Sequence, residues 1–398
     1  MRLRHIHLPF CSAQALYPPY SLASRVQEHL RRQLLDFKDK AATSDTAAAA
    51  TTAAAASHSH SGSSHDGGLP PPPPPPTLLS FTPLPAFTLG RRQTAPLSES
   101  EMARLQEPLH VTTSSSSTNT TNITPLPVSI VNSPRGGLTT YHGPGQTVLW
   151  PVLDLRSPHH KQFTVRCYSR LLEDTTIATL RSMFGLAAFT TADPGVWVRR
   201  PHLLLSGQHV REDGEPGAAA AEAKIAALGV HLRRHVSALG TAINVAMPSA
   251  DVVDEQRNPW ARIVACGLEG KVVTSVAGEL NAASRASNRQ QQQQQEHQIT
   301  DDGGAVNNAT PPPSLENGGH VAAERAVAAS WAEELARRIG VEGVDVVPEK
   351  EVVSLLADLV REAAAVDGDG GGDGSGATAE EQDFVARMTE QLLVSSSS

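Results

Sequence analysis

Pro70 to Pro76 is an unbroken run of seven prolines. Proline has no backbone N–H and a fixed φ, so such a run joins neither a helix interior nor a sheet ladder. It stands as a polyproline segment between whatever folds on either side. Other tracts are also poor in core-forming residues. Residues 41–76 begin as an Ala/Thr tract and pass through "SHSHSGSSHDGG" before the prolines. Residues 113–122 are rich in Ser, Thr and Asn and read as a mobile loop. Residues 283–318 hold the Gln290–Gln295 run and a Gly/Asn/Pro linker, and residues 367–378 are Gly/Asp-rich. Only 4% of the 398 residues are aromatic. These tracts cannot bury enough apolar surface to offset ordering entropy. The remainder is enough for one folded domain of roughly 200 to 230 residues with disordered insertions.

The formal charge of −8 provides no basic stripe for nucleic acid, and no apolar run is long enough to span a bilayer. Three cysteines, Cys11, Cys167 and Cys266, are too few for a disulfide framework and suit a reducing compartment. The N-terminus carries Arg2, Arg4 and Arg25 and no acid before Glu28. That composition suits a mitochondrial transit peptide. The alternation of "RLRHIHLPF" equally suits a first strand.

The periodicities predict a strand, a turn at Pro18 and Pro19, and a helix holding Val26, Leu30, Leu34 and Leu35. "TLLSFTPLPAFTLGRRQ" predicts two short strands broken at Pro83 and Pro85. "TVLWPVLDL" is a clear strand, "YSRLLEDTTIATLRSMFG" a helix, and "GVWV" from Gly195 another strand. Residues 207–221 read as a hairpin insertion, and "AKIAALGVHLRRHVSALGTAINVAM" as three short strands turning at Gly229 and Gly240. A helix starts at Thr274 or Ser275. Three further helices follow, over "HVAAERAVAASWAEELARRIG", about 349–365, and about 379–393. The expected organisation is a domain over 1–282, interrupted at 41–76 and 113–122, a disordered linker over 283–318, and a helical C-terminal extension over 319–398. The mixture of strands and helices without repeats gives an α/β or α+β class.

"RGGLTTYHGPGQ", Arg135 to Gln146, packs five glycines and prolines among an Arg, a Tyr, a His and a Gln directly before the clear strand. Glycine lets backbone approach a ligand closely, and Arg135 and His142 supply donors. The order differs from that of a nucleotide P-loop. A substrate loop is expected; a rigid turn is the alternative. Cys266 lies in "VACGLEG" and suits either a reactive thiol or a small buried hydrophobe. Lys224 precedes an apolar run, where desolvation would fit it for proton transfer. Sequence alone does not bring these two together. Cys11 and Cys167 read as structural. His58, His60 and His65 read as linker residues, and Asn119 and Asn122 occupy glycosylation sequons without a secretory signal. His231 and His235 flank Arg233 and Arg234 in a strand-like pattern, so no metal is expected.

In this order, "RGGLTTYHGPGQTVLWPVLDL", "GVWV", "AKIAALGVHLRRHVSALGTAINV" and "ACGLEGKVVTSVAGEL" resemble the lipoyl(octanoyl) transferases, with further likeness at "YPPYSLASRVQEHL". The resemblance covers most of residues 78–282. The Gln, Pro and Ala tracts suit a fungal version, which the resemblance would place in mitochondria. It implies the fold of biotin and lipoate ligases, a mixed sheet with flanking helices. It implies transfer of an octanoyl group from octanoyl-acyl carrier protein to a lysine of lipoyl domains. The acceptors implied are the 2-oxoacid dehydrogenase complexes and the glycine cleavage H protein. No cofactor is implied, since the thioester is already activated. The acyl-accepting cysteine falls on Cys266 and the lysine that tunes it on Lys224. The acyl-binding loop falls on Arg135, Gly136, Gly137, Leu138, Thr139, Thr140, Tyr141 and His142. Two further contact segments fall on Ala227, Leu228 and Gly229 and on Gly240, Thr241 and Ala242. The chain departs from the family at Ala265, usually Pro, at Leu239, usually His, and by an insertion at "DEQRNPW". A lipoate or biotin ligase, a lipoyl amidotransferase and a non-catalytic binding relative are the competing readings.

Overall fold

The computed structural model describes residues 1–55, 72–115, 120–200, 221–248, 253–263, 272–298, 319–367 and 376–396. The chain begins with β1 (Leu3–His7), α1 (Tyr20–Ala55), β2 (Thr77–Phe81), β3 (Ala86–Leu89) and α2 (Glu99–Gln106). There follow β4 (Leu109–Ser115), β5 (Thr120–Leu126), β6 (Ser129–Asn132), β7 (Thr140–His142), β8 (Gln146–Val152) and α3 (Val165–Phe184). Next come β9 (Ala188–Phe189), β10 (Val196–Arg200), β11 (Ala221–Arg233), β12 (Val236–Asn244), β13 (Val272–Val273) and α4 (Val276–Gln298). The chain closes with α5 (Gly319–Ile339), β14 (Val344–Val346), α6 (Glu349–Asp367) and α7 (Ala379–Ser396).

The principal sheet runs β14-β1-β2-β8-β12-β11-β10-β9, with β13 pairing β11. It is mixed: β14, β1 and β2 are mutually parallel, and β2, β8, β12, β11, β10 and β9 pair antiparallel in turn. Strand β8 is buried along its whole length. Its Leu149 faces a core shared with α3 and α5, and Val148, Trp150 and Val152 face a second core shared with α1, α6 and α7. Residues i and i+1 of a strand point to opposite faces, so a strand covered on both sides reads as a continuous apolar run. A smaller sheet, β6-β3-β7, carries the end of the glycine-rich segment. The expected mixed sheet with flanking helices is thus observed.

Helix α3 is held by a Thr164 N-cap and a left-handed Gly185 C-cap. Its buried Thr176 accepts a hydrogen bond from the Trp331 indole of α5 at 3.0 Å, joining the two helices on one face of the sheet. The C-terminal segment therefore packs into the principal domain. It also contributes β14 to the sheet, and Phe384 and Met388 of α7 to the second core. The boundary expected at 283 from composition is no boundary in packing.

Several local expectations need correction. Residues 41–55 continue α1, and residues 283–298 continue α4, where a linker was expected. Alanine and glutamine extend a helix that is already nucleated. The segment around 113–122 is a hairpin arm, β4 paired with β5, in which Ser and Thr occupy strand positions; its residues 116–119 are not among those described. The three strands expected between 223 and 247 are two. Gly229 and Gly240 are not turns but partners, directly opposite each other in the β11–β12 ladder. The turn lies at Arg234 and His235, both with left-handed backbone, φ 51° and 69°. A two-residue hairpin turn usually recruits Asn-Gly for this conformation, so Arg-His carried no turn signal. The insertion expected at 207–221 falls mostly outside the described residues, with Ala221 opening β11.

Candidate functional site

The three segments expected to contact substrate meet in one cleft on the α1 face of the sheet. Arg135, Thr140 and His142 form one wall; Ala227 to Gly229 of β11 and Gly240 to Ala242 of β12 form another. Tyr20, Trp150 and Leu239 complete the lining of this narrow cleft, which is partly open to solvent. Tyr20 opens α1 directly after Pro18 and Pro19, so the helix start projects its ring over the site. That ring stacks on His142 at 5.4 Å and meets Trp150 edge-on at 5.3 Å. Sequence reasoning missed Tyr20 and Trp150 as lining residues because neither belongs to the glycine-rich motif.

The Arg135 guanidinium is engaged by its own loop and by β3. Its Nη1 donates to the carbonyls of Gly136 and Leu138 at 3.0 and 2.8 Å. Its Nη2 donates to the carbonyl and hydroxyl oxygens of Thr88 at 2.6 and 2.8 Å. The side chain pins the glycine-rich turn to β3, and its stem crosses β11. A Cβ on Gly229 would lie 2.8 Å from Arg135 Cδ, so residue 229 must be glycine for this stem to pass. Gly136, Gly137, Leu138 and Thr139 shape the pinned turn and do not line the cleft. Tyr141 points away, into a separate core with Phe87 and Trp260, because it alternates with His142 along β7.

The state of His142 is set by a chain of hydrogen bonds. The Thr274 carbonyl can only accept, so Asn244 Nδ2 donates to it, at 2.9 Å. Asn244 Oδ1 then accepts from Gln146 Nε2 at 2.9 Å. Gln146 Oε1 is left to accept from His142 Nδ1, 2.7 Å away. The neutral ring therefore carries its proton on Nδ1 and presents Nε2 as an acceptor. Burial, opposed by the Gln146 hydrogen bond and aided by Arg135, lowers the His142 pKa to about 4. The Nη groups of Arg135 and the Nδ1–H of His142, expected as donors to a ligand, are thus engaged by the protein itself.

The same relay continues to a half-buried cluster in which the Thr274 hydroxyl and Arg200 both donate to Glu279 Oε1 at 2.5 Å. From the opposite side, α5 inserts Glu324 beneath the turn. Its carboxyl accepts from the Thr82 hydroxyl at 2.8 Å and from the Gly145 backbone N–H. Burial pushes its pKa up to about 8, so it is protonated near neutrality. The turn bearing His142 and Gln146 is thereby tied to β2, β12 and α5 together.

Lys224 is buried on β11, outside the cleft lining, with its ammonium 5.3 Å from the centre of the Trp197 ring. Cys266 lies outside the described residues, in the stretch 264–271. The chain re-enters the sheet at β13, where Val273 pairs with Lys224 and the Thr274 N–H donates to the Lys224 carbonyl at 2.9 Å. Cys11 is half-buried beside the second core. Cys167 is exposed in the first turn of α3, so the expectation of a packed structural thiol does not hold there. His231 lies on β11 and His235 in the hairpin turn; among the described residues no cluster of His, Cys, Asp and Glu can hold a metal ion.

Residues 69–296 match the lipoyl protein ligase A/B catalytic domain. The chain is 36% identical over 151 residues to an octanoyltransferase of Rickettsia africae, covering 37% of this chain and 59% of that protein. It is 40% identical over 142 residues to an octanoyltransferase of Agrobacterium fabrum, covering 36% and 46% respectively. A probable octanoyltransferase of Schizosaccharomyces pombe is 35% identical over 200 residues, covering 50% and 66%. The matched stretch thus spans about half to two thirds of these relatives. Among solved structures, a bipartite lipoate protein ligase of Thermoplasma acidophilum aligns at a TM-score of 0.42 and 13% identity, over 91% of this chain and 92% of that one.

Proposed function

Because the chain belongs to the lipoyl protein ligase A/B catalytic domain family, we propose that it is an acyltransferase that moves an octanoyl group from acyl carrier protein to a lysine of lipoyl domains. The observation that carries this reading is the convergence of Arg135–His142, Ala227–Gly229 and Gly240–Ala242 on one cleft. They come from separate parts of the chain and build a slot of backbone, aromatic rings and a neutral imidazole. Such a slot suits an uncharged acyl chain and its thioester better than an ionic ligand.

In the proposed reaction the Cys266 thiolate attacks the thioester carbonyl, a new C–S bond forms, and the carrier thiolate leaves with the electron pair. The lysine amine of the acceptor then attacks the acyl-enzyme, its proton is removed, and Cys266 leaves as thiolate. Lys224 is the group proposed to hold the thiol in its reactive form and to relay the proton. The pairing of Val273 with Lys224 supports this role, since it returns the chain beside the lysine seven residues after Cys266. Intact mass after incubation with octanoyl-acyl carrier protein tests the proposal. A gain of one octanoyl group, lost on adding a lipoyl domain and absent in Cys266→Ser, is expected. An unchanged adduct in Cys266→Ser would overturn the role of this thiol.

We place the reaction in mitochondria on the acid-free, Arg-bearing start of the chain. Leu3 and Ile6 are fully buried in a strand paired on both edges, so residues 3–7 have to stay on the folded protein. Fractionation followed by N-terminal sequencing tests both points: cytosolic protein would overturn the location, and a mature chain starting beyond His7 would overturn the retained strand.

A further inference from the structure

Strand β11 leads out of the cleft. Ala227 and Gly229 line it, and His231 and Arg233 continue on the same strand face at two-residue steps. A rise of about 3.4 Å per residue puts His231 about 7 Å and Arg233 about 14 Å beyond Gly229. At this mouth His231 sits in the field of three arginines from three elements: Arg31 of α1, Arg91 of the turn after β3, and Arg233 of its own strand. Arg31 Nη1 is 3.3 Å from His231 Nδ1. Glu28 of α1 is the one carboxylate in that field, and it is already paired with Arg31 at 3.2 Å.

Arg31 is thus paired, but the other two arginines are not: among the described residues no carboxylate lies within ion-pair distance of Arg91, Arg92 or Arg233, all of which are exposed. Arg91 and Arg92 are also fixed to the glycine-rich turn: their backbone N–H groups donate to the carbonyls of Arg135 and Gly137 at 3.0 and 3.1 Å. At the hairpin tip Arg234 is paired with Asp39 of α1 at 2.6 Å, so it adds no free charge to this surface. A chain of net charge −8 thus places Arg91, Arg92 and Arg233 beside the segments that build its cleft.

We infer that Arg91, Arg92 and Arg233, with His231 among them, form the docking surface for an acidic carrier protein that presents the acyl thioester. This rests on the octanoyl-transfer reading and names the face through which the donor approaches. An overall negative chain repels an acidic partner at long range, and a local cationic rim reverses that field where docking must occur. Complementary rim charges act mainly on the encounter rate and on salt dependence. The rim is too small and too far from a continuous stripe for a nucleic-acid backbone. Burial first, then Arg31, Arg91 and Arg233, keep the pKa of His231 low in the free protein.

The test compares the full chain with Arg91→Glu/Arg92→Glu and with Arg233→Glu. Binding of labelled octanoyl-acyl carrier protein is followed by fluorescence anisotropy at low and at physiological salt. Turnover is followed with that donor and with octanoyl-N-acetylcysteamine, which has no protein surface. Charge reversal is expected to weaken carrier binding about tenfold or more at low salt, with a smaller effect at physiological salt. Turnover of the small thioester stays unchanged, and Arg91→Lys/Arg92→Lys restores carrier binding. Unchanged carrier affinity in both Glu variants would overturn the inference, as would a wild-type chain that does not bind the carrier. A loss confined to the lipoyl-domain acceptor or to nucleic acid would overturn it equally. Salt-dependent carrier binding without any turnover would uphold the rim and sink octanoyl transfer. Turnover of both donors with unaltered KM in the Glu variants would do the reverse.

Discussion

Lys224 fills the space beside Gly195: a Cβ on residue 195 would lie 2.6 Å from Lys224 Cε and 3.2 Å from its Nζ. The same Cβ would lie 2.6 Å from the Ala226 carbonyl oxygen, and Gly195 has φ +125°, a conformation that side chains rarely adopt. "GVWV" therefore begins with glycine because the backbone angle, the Ala226 carbonyl and the Lys224 side chain together leave no place for a Cβ. Gly195→Ala is expected to cost about 1–3 kcal/mol of stability through backbone strain. It should also displace Lys224 and shift the pH dependence of Cys266 alkylation by iodoacetamide upward. Denaturant unfolding and alkylation rates measured together check this. An altered midpoint with an unmoved alkylation profile would separate Lys224 from the thiol.

Glu324 should couple stability to alkaline pH. Its folded-state pKa is raised from 4.5 to about 8, so its contribution is fully present below 4.5 and is lost as pH rises through 8. Glu324→Gln keeps a neutral side chain of the same shape. Tm measured against pH should therefore fall toward alkaline pH in the parent and show less of that fall in the variant, which becomes the more stable of the two above pH 8.

Three histidines should act in the opposite direction. His5 and His7 contact the Ser80 hydroxyl from either side at 2.7 and 2.8 Å. Burial lowers their pKa values to about 4 and about 3, and that of His142 to about 4, all from 6.5. Each ring is neutral in the fold and protonates first in the unfolded chain. Stability is thus present above pH 6.5 and falls on acidification, by up to about 1.4 kcal/mol per pH unit for each ring until its folded pKa is reached. Urea midpoints at a series of pH values give the slope, and Ser80→Ala should leave it in place.

His235→Gly should stabilise the protein. The φ of 69° at His235 costs a side-chain-bearing residue about 1 kcal/mol that glycine does not bear. Equilibrium unfolding should show a gain of about this size with an unchanged m-value, as the ladder ends at Val236.

Leu239 has a left-handed backbone, φ 62°, within β12, and its side chain lines the cleft where the resembling family carries His. Leu239→Ala should enlarge the cleft and move the preferred acyl chain to greater length. KM values for thioesters of increasing chain length check this; a uniform rise in KM would mean that Leu239 only holds the strand.

How far the site could be read from residues alone is visible in its parts. Nine of the residues expected to contact substrate line the cleft: Arg135, Thr140 and His142 belong to the glycine-rich motif, whereas Ala227–Gly229 and Gly240–Ala242 followed only from the family resemblance. Tyr20 and Trp150 were legible from neither, because a ring over a cleft is a relation between a helix start and a distant strand. The inward guanidinium of Arg135 was equally illegible: whether an arginine serves a ligand or its own loop depends on which carbonyls surround it.

The sequence by itself determined the elements whose information is local. The apolar periodicity of α3, α5, α6 and α7 and the continuous apolar run of β8 each report burial within one segment. It also determined the family, through ordered motifs. Tertiary structure alone decided the pairing of Gly229 with Gly240, the place of β14 beside β1, the tautomer of His142 and the protonation of Glu324. Each of these depends on contacts between residues far apart in the chain, and on the desolvation that only a closed core imposes.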